Sequence, residues 1–369
     1  MSDRPTSRPR APDLGIRIGL LPSGPHDAIT DVEGVRVGHT TLISGEGQLR
    51  VGHGPVRTGV TVVVPPAEPG EAFYAGCHVL NGNGEMTGLE WVRESGLLTT
   101  PVAITNTHSV GVVRDAIVHR EARRRPDPEL HWALPVVGET WDGLLNDING
   151  HHVRTEHLDA ALEGATDGPV AEGNVGGGTG MVCHEFKGGI GSASRVVPAS
   201  AGDYTVGALV QANHGRRERL TIAGVPVGQR IPVTDVPSPY GLARSSEPGT
   251  GSIIVVLATD APLLPHQCSD LAQRAGLGIA RAGGAGERSS GDIFLAFSTA
   301  NRLPAQDTAL TRQVTAVGDS VLSQLFWAAI EATEEAIVNA LLAAETMVGR
   351  DGITAHALPH EVLRELREA

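Results

Sequence analysis

The sequence predicts a layered domain of the α/β or α+β class, in which helices pack on β-sheets. Strand-like and helix-like stretches are mixed along its 369 residues. The 47 glycines and 24 prolines indicate many turns and tight loops. Hydrophobic residues make up 40% of the chain and aromatic residues only 3%, so the core must be built mainly from Val, Ile, Leu and Ala.

The first half of the chain is predicted to contain short strands and one helix. Residues 1–14 are polar and rich in Pro and Arg, and we expect a disordered or loosely draped arm there. A helical stretch over 112–124 is flanked by strand-like sequence, and residues 153–171 are polar and favour a surface segment. The strand-like runs are 28–43, 57–66, 101–111 and 133–141.

The second half begins with a glycine-rich segment at 172–197 and a strand over 204–213. Residues 232–250 are rich in Pro and Ser without apolar periodicity, which predicts a mobile, exposed linker. Apolar spacing then predicts two strands and two helices, the last helix capped by Asp319. They are the strands 252–259 and 291–299, and the helices 267–281 and 319 to about 349.

Composition excludes several classes of function. The net charge of −13 argues against nucleic acid as a partner, because phosphate binding requires a basic surface. No stretch approaches the roughly 20 apolar residues that span a bilayer, so no membrane partner is expected. Cys77, Cys183 and Cys268 fit no CxxC pattern, which favours a reducing compartment. We therefore expect a soluble, cytoplasmic protein.

Familiar catalytic motifs are missing from the sequence. It contains no HExxH and no GxSxG, and GNVGGGTG lacks the Lys-Ser/Thr pair of a phosphate-binding loop. The histidines are scattered, so we expect no metal site. No organic cofactor is expected either. Lys187, the single lysine, receives no role.

Gly251-Ser252 stands between the linker and a buried strand, and this position suits a self-cleaving enzyme. The serine hydroxyl would attack the preceding carbonyl, and hydrolysis of the ester would leave Ser252 as a new N-terminus. Its α-amine, with a reference pKa of about 7.7–8.0, would then act as general base for its own hydroxyl. Glycine tolerates a strained backbone before the scissile bond. The alternative is that Ser252 simply ends a turn.

Long motifs along the chain resemble the DmpA family, the L-aminopeptidase/D-amidase-esterases and their β-peptidyl aminopeptidase relatives. The likeness runs from about residue 15 to 350. Its motifs are GETWDGLLNDING, EGNVGGGTGMVCHEFKGGIGSASR, LVQANHG, GTGSIIVVLATDAPL and RSSGDIFLAFST. The resemblance implies one four-layer αββα sandwich over 15–369, similar to N-terminal-nucleophile hydrolases but with different connectivity. It also implies self-cleavage into an α chain 1–251 and a β chain 252–369, assembled as a homo-oligomer of αβ heterodimers.

The resemblance assigns a role to further residues. Ser290 and Asp292 would orient Ser252 and set the charge state of its amine through hydrogen bonds. The alternative is that they form a turn that enters a strand, where both residue types are common. Asn213 would donate to the oxyanion, or else it is a turn asparagine before glycine. Glu139 would receive the ammonium group of the substrate, or else it is a solvated surface acid.

Position 141 departs from the family pattern. The aminopeptidase/D-amidase type carries a tyrosine there that helps at the oxyanion, whereas this chain has Trp141. An indole N–H can donate a hydrogen bond but cannot shuttle a proton. Trp141 is therefore either a donor or a wall of the substrate pocket.

The function predicted is a serine aminopeptidase that hydrolyses the N-terminal residue of short peptides, amides or esters through an acyl-enzyme on Ser252. One alternative is an acyltransferase similar to ornithine acetyltransferases, in which an amine resolves the acyl-enzyme; such enzymes generally use Thr at the cleavage site. The other is an uncleaved homologue without catalytic activity.

Overall fold

A computed structural model describes residues 8–124, 129, 131–198, 200, 202–242, 251–305 and 309–367. Within this part of the chain, no helix is both long and apolar enough to cross a membrane. The described residues form two main sheets, two small hairpins and five α-helices.

The first sheet has the order β1-β2-β5-β6 among the described residues. β1, β2 and β5 pair antiparallel, and β5 pairs parallel to β6. Its strands are β1 (Arg36–Ser44), β2 (Val56–Val64), β5 (Val102–Asn106) and β6 (Val136–Thr140).

The second sheet has the order β4-β3-β12-β11-β10-β9 in the described part of the chain. The central pair β11 and β12 is parallel and the other pairs are antiparallel. Its strands are β3 (Glu71–Gly82), β4 (Leu97–Leu98), β9 (Gly189–Val196), β10 (Thr205–Asn213), β11 (Ser252–Thr259) and β12 (Gly291–Pro304). The hairpins are β7 (Val182–Cys183) with β8 (Phe186–Lys187), and β13 (Met347–Val348) with β14 (Thr354–Ala355).

Helices cover the outer face of each sheet, and a separate core lies between the two sheets. One cluster packs the first sheet on α2 and α3, a second joins the sheets, and a third packs the second sheet on α4 and α5. The helices are α1 (Leu89–Ser95), α2 (Val110–Arg123), α3 (Thr155–Glu163), α4 (Pro265–Arg281) and α5 (Asp319–Ala343). The layers therefore follow the predicted αββα order.

Several boundaries differ from the sequence prediction. Gly318, not Asp319, caps the N-terminus of α5, which ends at Ala343 because Ala344 has an extended backbone. The segment 153–171 includes α3, whose apolar residues at 158, 161 and 162 are buried on one face. Of the linker, residues 232–241 are mostly exposed, and 243–250 lie outside the described residues.

Of the arm 1–14, predicted to be disordered or loosely draped, residues 1–7 lie outside the described residues, and residues 8–14 contact the domain. The backbone N–H of Ala11, a fully buried residue, donates to Asn339 Oδ1 of α5 over 2.9 Å. Arg10 pairs with Glu172 at 2.7 Å. Long-range polar contacts of this kind hold a segment whose own composition favours a loop.

Candidate active site

Ser252 begins β11 at a point where three strands meet. Its Cα is the register partner of Asn213 on β10 and of Gly291 on β12. Ile254 and Val256 pack between the two sheets, and side chains alternate along a strand, so Ser252 points into the same layer. The serine is 4% exposed. The residues predicted from separate motifs therefore come together at one end of the second sheet.

The hydroxyl of Ser252 contacts a backbone group of the neighbouring strand. Gly291 N–H donates to Ser252 Oγ over 3.1 Å, and the same N–H lies 3.3 Å from the carbonyl oxygen of Gly251. One donor thus contacts both the hydroxyl and the carbonyl that precedes it. A backbone N–H at this distance can polarise that carbonyl toward nucleophilic attack.

Ser290 and Asp292 flank this donor. Ser290 Oγ donates to Asp292 Oδ1 over 2.6 Å, so the serine hydroxyl is directed to the carboxylate rather than to Ser252. Burial raises the pKa of Asp292 to about 6, opposed by hydrogen bonds from Ser290 and from the backbone of Ile253. The carboxylate therefore lies beside the N–H of the residue that follows Ser252.

The side chain of Asn213 is fixed at both ends. Its Oδ1 accepts from the N–H of Val182 over 2.8 Å, and its Nδ2 donates to the backbone oxygen of Trp141 over 2.9 Å. A primary amide carries two N–H bonds, so a second remains for an oxyanion. The backbone of Asn213 also explains Gly251, because a Cβ at Gly251 would lie 1.8 Å from the oxygen of Asn213.

Glu139 is only 2% exposed, so it is not a solvated surface acid. Its Oε1 accepts from the N–H of Glu85 over 2.9 Å, and its Oε2 accepts from the hydroxyl of Thr107. Burial raises the pKa of Glu139, and these hydrogen bonds oppose the rise. A Cβ on Gly84 would lie 3.1 Å both from Glu139 Oε1 and from Gly291 Cα, so the carboxylate lies close to the Ser252 end of the sheet.

Trp141 acts here through its backbone carbonyl, which orients the Asn213 amide. Its indole is half-buried and packs on an apolar cluster that includes Leu144, Leu145 and Val182. Tyr240, at the end of the described part of the linker, packs on the same cluster. This geometry favours Trp141 as a wall of the site.

Other contacts in the site had no signal in the sequence. Gln211 Nε2 donates to Thr105 O and to Thr140 Oγ1 over 2.9 and 2.8 Å, which joins β10 to the two parallel strands of the other sheet. Lys187 is buried and donates to the carbonyls of Gly178 and Gly188 over 3.2 and 2.7 Å. Burial lowers its pKa to about 7. Both side chains thus position the backbone around the site.

Known proteins are similar to this chain in sequence and in fold. The sequence model described as peptidase family S58 matches residues 27–355. The chain belongs to peptidase family S58. The curated beta-peptidyl aminopeptidase BapA of Sphingosinicella microcystinivorans is 51% identical over 365 residues, which cover 97% of this chain and 91% of that protein.

Two solved structures of family relatives superpose closely. The Burkholderia sp. beta-aminopeptidase has a TM-score of 0.89 at 55% identity, covering 97% of this chain and 99% of that chain. The L-aminopeptidase D-ala-esterase/amidase from Ochrobactrum anthropi has a TM-score of 0.89 at 47% identity, with 98% of each chain covered. That structure is described as a prototype for the serine aminopeptidases and a new variant of the Ntn hydrolase fold.

These similarities confirm the predicted DmpA-type family and the fold. The S58 protein described here is a hydrolase of the aminopeptidase type. The three relatives named above are all described as aminopeptidases.

Proposed function

We propose that this S58 aminopeptidase is activated by cleavage of its own Gly251–Ser252 bond. The observation that carries the proposal is the Gly291 N–H, which contacts both Gly251 O and Ser252 Oγ. Oγ adds to the carbonyl carbon of Gly251, the C–N bond breaks, and the hydroxyl proton ends on the released amine. Water then hydrolyses the ester and leaves a carboxylate on Gly251.

In the cleaved enzyme, Ser252 is the nucleophile of peptide hydrolysis. Its free α-amine takes the hydroxyl proton as Oγ attacks the substrate carbonyl, and returns it to the leaving amine. The position of Asp292 beside the Ile253 N–H supports a role for this carboxylate next to the new ammonium group, with Ser290 holding it in place.

Asn213 binds the oxyanion and Glu139 binds the ammonium group of the substrate's N-terminal residue. The second N–H of Asn213 stabilises the oxyanion of the tetrahedral intermediate, an interaction worth about 3–4 kcal/mol. Glu139 pairs as a carboxylate with the substrate ammonium, and Glu85 and Thr107 hold it in position. Trp141 closes one side of the pocket. The proposed reaction on Ser252 uses no metal or cofactor.

The substrates proposed are short peptides, amides and esters with a free amino end, including β-aminoacyl groups. The relatives described as beta-peptidyl aminopeptidase and beta-aminopeptidase support the latter class. We also propose a cytoplasmic homo-oligomer of αβ heterodimers. This assembly rests on the resemblance to the family, and native mass spectrometry tests it.

The intact mass under denaturing conditions tests the proposal most directly. The wild type should give fragments of 251 and 118 residues, the smaller beginning at Ser252, and Ser252→Ala should remain one chain. Only the cleaved protein should hydrolyse aminoacyl amides. A wild-type chain that stays intact yet hydrolyses these amides would contradict activation by cleavage, and a cleaved Ser252→Ala chain would contradict the assignment of the nucleophile.

A further inference from the structure

Behind the candidate active site, Cys183, His184 and His214 form a buried cluster. One nitrogen or sulfur atom of each lies within 4.8 Å of the others. The distance between Cys183 Sγ and His214 Nδ1 is 3.9 Å, close to the roughly 3.5 Å that follows from tetrahedral zinc bond lengths. Two of these residues belong to a hairpin and the third follows β10, so the fold brings them together from separate parts of the chain.

The hairpin turn is unusual. His184 and Glu185 connect β7 to β8 with φ of 49° and 66°, values that favour Asn or Gly in such a turn. The N–H of His184 donates to the backbone oxygen of His214 over 2.7 Å, which fixes the turn against the end of β10. As a result the imidazole of His184 is fully buried.

The hydrogen bonds of His184 define its tautomer. Its Nδ1 lies 2.9 Å from the carbonyl of Arg216, which can only accept, so Nδ1 carries the hydrogen and Nε2 presents a lone pair. That Nε2 is buried and has no hydrogen-bond partner among the described residues. An imidazole held by a backbone carbonyl through its other nitrogen is the usual arrangement of a metal-ligating histidine.

His214 connects the cluster to solvent. It lines a cavity of about 450 Å³ together with Arg216, Glu287, Ser290 and Asp292. Its own Nε2 is also buried without a partner in the described part of the chain. His214 is therefore the member of the cluster that lies nearest to solvent.

We propose that Cys183, His184 and His214 bind a thiophilic divalent cation such as Zn²⁺ as its three ligands from the protein. Binding forms one metal–sulfur bond and two metal–nitrogen bonds, and the thiol proton of Cys183 leaves to solvent. The sequence did not predict this site, because its three ligands follow no zinc-binding spacing. Since Asn213 directly precedes His214, a bound ion would act next to the proposed oxyanion donor.

The test uses chelator-treated protein in the Ser252→Ala background, so that its outcome does not depend on cleavage or activity. Addition of Co²⁺ should give the visible bands of tetrahedral cobalt and a sulfur-to-cobalt charge-transfer band, and zinc dialysis should leave about one ion per chain. Cys183→Ser should abolish the charge-transfer band and weaken affinity by more than about 100-fold. Cys268→Ser, which changes another buried thiol, should not alter either.

His184→Asn provides a second variant that is expected to fold, because Asn is favoured at positive φ. It should lose the tetrahedral cobalt spectrum while keeping the wild-type circular dichroism. Co²⁺ or Zn²⁺ binding that is absent, or that persists unchanged in folded Cys183→Ser or His184→Asn, would overturn the proposal. The cluster would then be a hydrogen-bonded thiol–imidazole pair within the core.

Discussion

The N–H of Gly291 lies 3.1 Å from Ser252 Oγ and 3.3 Å from the oxygen of Gly251, so one backbone donor contacts both partners of the proposed cleavage. The parallel register of β11 and β12 sets this relationship, because Ser252 and Gly291 are partners across the two strands. The chemistry at Ser252 thus depends on strand pairing as much as on the serine itself.

Gly251→Ala should slow self-cleavage. Its Cβ would lie 1.8 Å from the oxygen of Asn213, so the scissile carbonyl must move away from the Gly291 N–H. A displacement of about 1 Å costs roughly 10²-fold in rate. Time courses of fragment formation by mass spectrometry would measure the change. Gly241→Ala is the control and should cleave at the wild-type rate, because no atom of the described residues lies within 4 Å of the added Cβ.

Asn213→Asp should lower the kcat of the cleaved enzyme by about 10²–10³-fold. The substitution keeps an oxygen that accepts from Val182 but removes the N–H bonds offered to Trp141 and to the oxyanion. Steady-state kinetics on an aminoacyl amide, with protein whose cleavage is verified by mass, would measure it. An unchanged kcat in cleaved protein would show that another donor stabilises the oxyanion.

Glu139→Gln should reduce kcat/KM for substrates with a free amino group. Loss of a charge-assisted hydrogen bond costs about 1.5–3 kcal/mol, equivalent to roughly 10–150-fold. A substrate in which hydrogen replaces the amino group serves as the comparison. The wild type and the variant should hydrolyse this comparison substrate equally poorly. Equal losses on both substrates would indicate a structural role for Glu139 instead of ammonium binding.

Asp292→Asn should stabilise the protein above pH 6. Burial raises the pKa of Asp292 from 3.8 to about 6, so its carboxylate is disfavoured in the folded state. The wild type therefore loses stability as pH rises from about 4 through 6, by about 3 kcal/mol for this shift. Denaturant unfolding of both proteins in the Ser252→Ala background, at pH 4 and pH 8, would measure the difference.

In the same experiment, Asp351→Asn should lower the stability of the protein at neutral pH, whereas Asp292→Asn should raise it. Hydrogen bonding by the Leu49 N–H lowers the pKa of Asp351, so its carboxylate favours the folded state at neutral pH. That stability is lost as pH falls through the folded pKa. If Asp292→Asn raised stability at pH 4 as much as at pH 8, burial of the ionised Asp292 carboxylate would not be the cause.

Arg195→Met should destabilise the domain by about 3–5 kcal/mol, because it removes the cation that faces the buried Glu331 and Glu335. Arg195 is 2% exposed and pairs with Glu331 at 3.4 Å, with Asp27 at 3.6 Å and with Glu335. Arg114→Met, which breaks an exposed pair with Asp115, should cost less than about 1 kcal/mol. Thermal and denaturant unfolding would separate the two outcomes, and equal effects would show that the buried network contributes little.

Local sequence determined the elements and the family of this protein. Apolar spacing predicted α4 and the strand that begins at Ser252, since both patterns depend on residues close together in the chain. The motifs around Asn213 and Asp292 identified the family, because each is a contiguous run. The polar α3 was missed although its buried residues have helical spacing, because it supplies so few of them.

Tertiary structure alone decided which atoms meet at the end of the second sheet. The Gly291 N–H, the Val182 N–H on Asn213 and the bridge from Gln211 to the other sheet are contacts between residues far apart in the chain. Most of them use backbone atoms, which every residue type carries, so no residue pattern encodes them. The burial of Glu139 has the same origin. A carboxylate becomes a buried acceptor only once two sheets have packed around it.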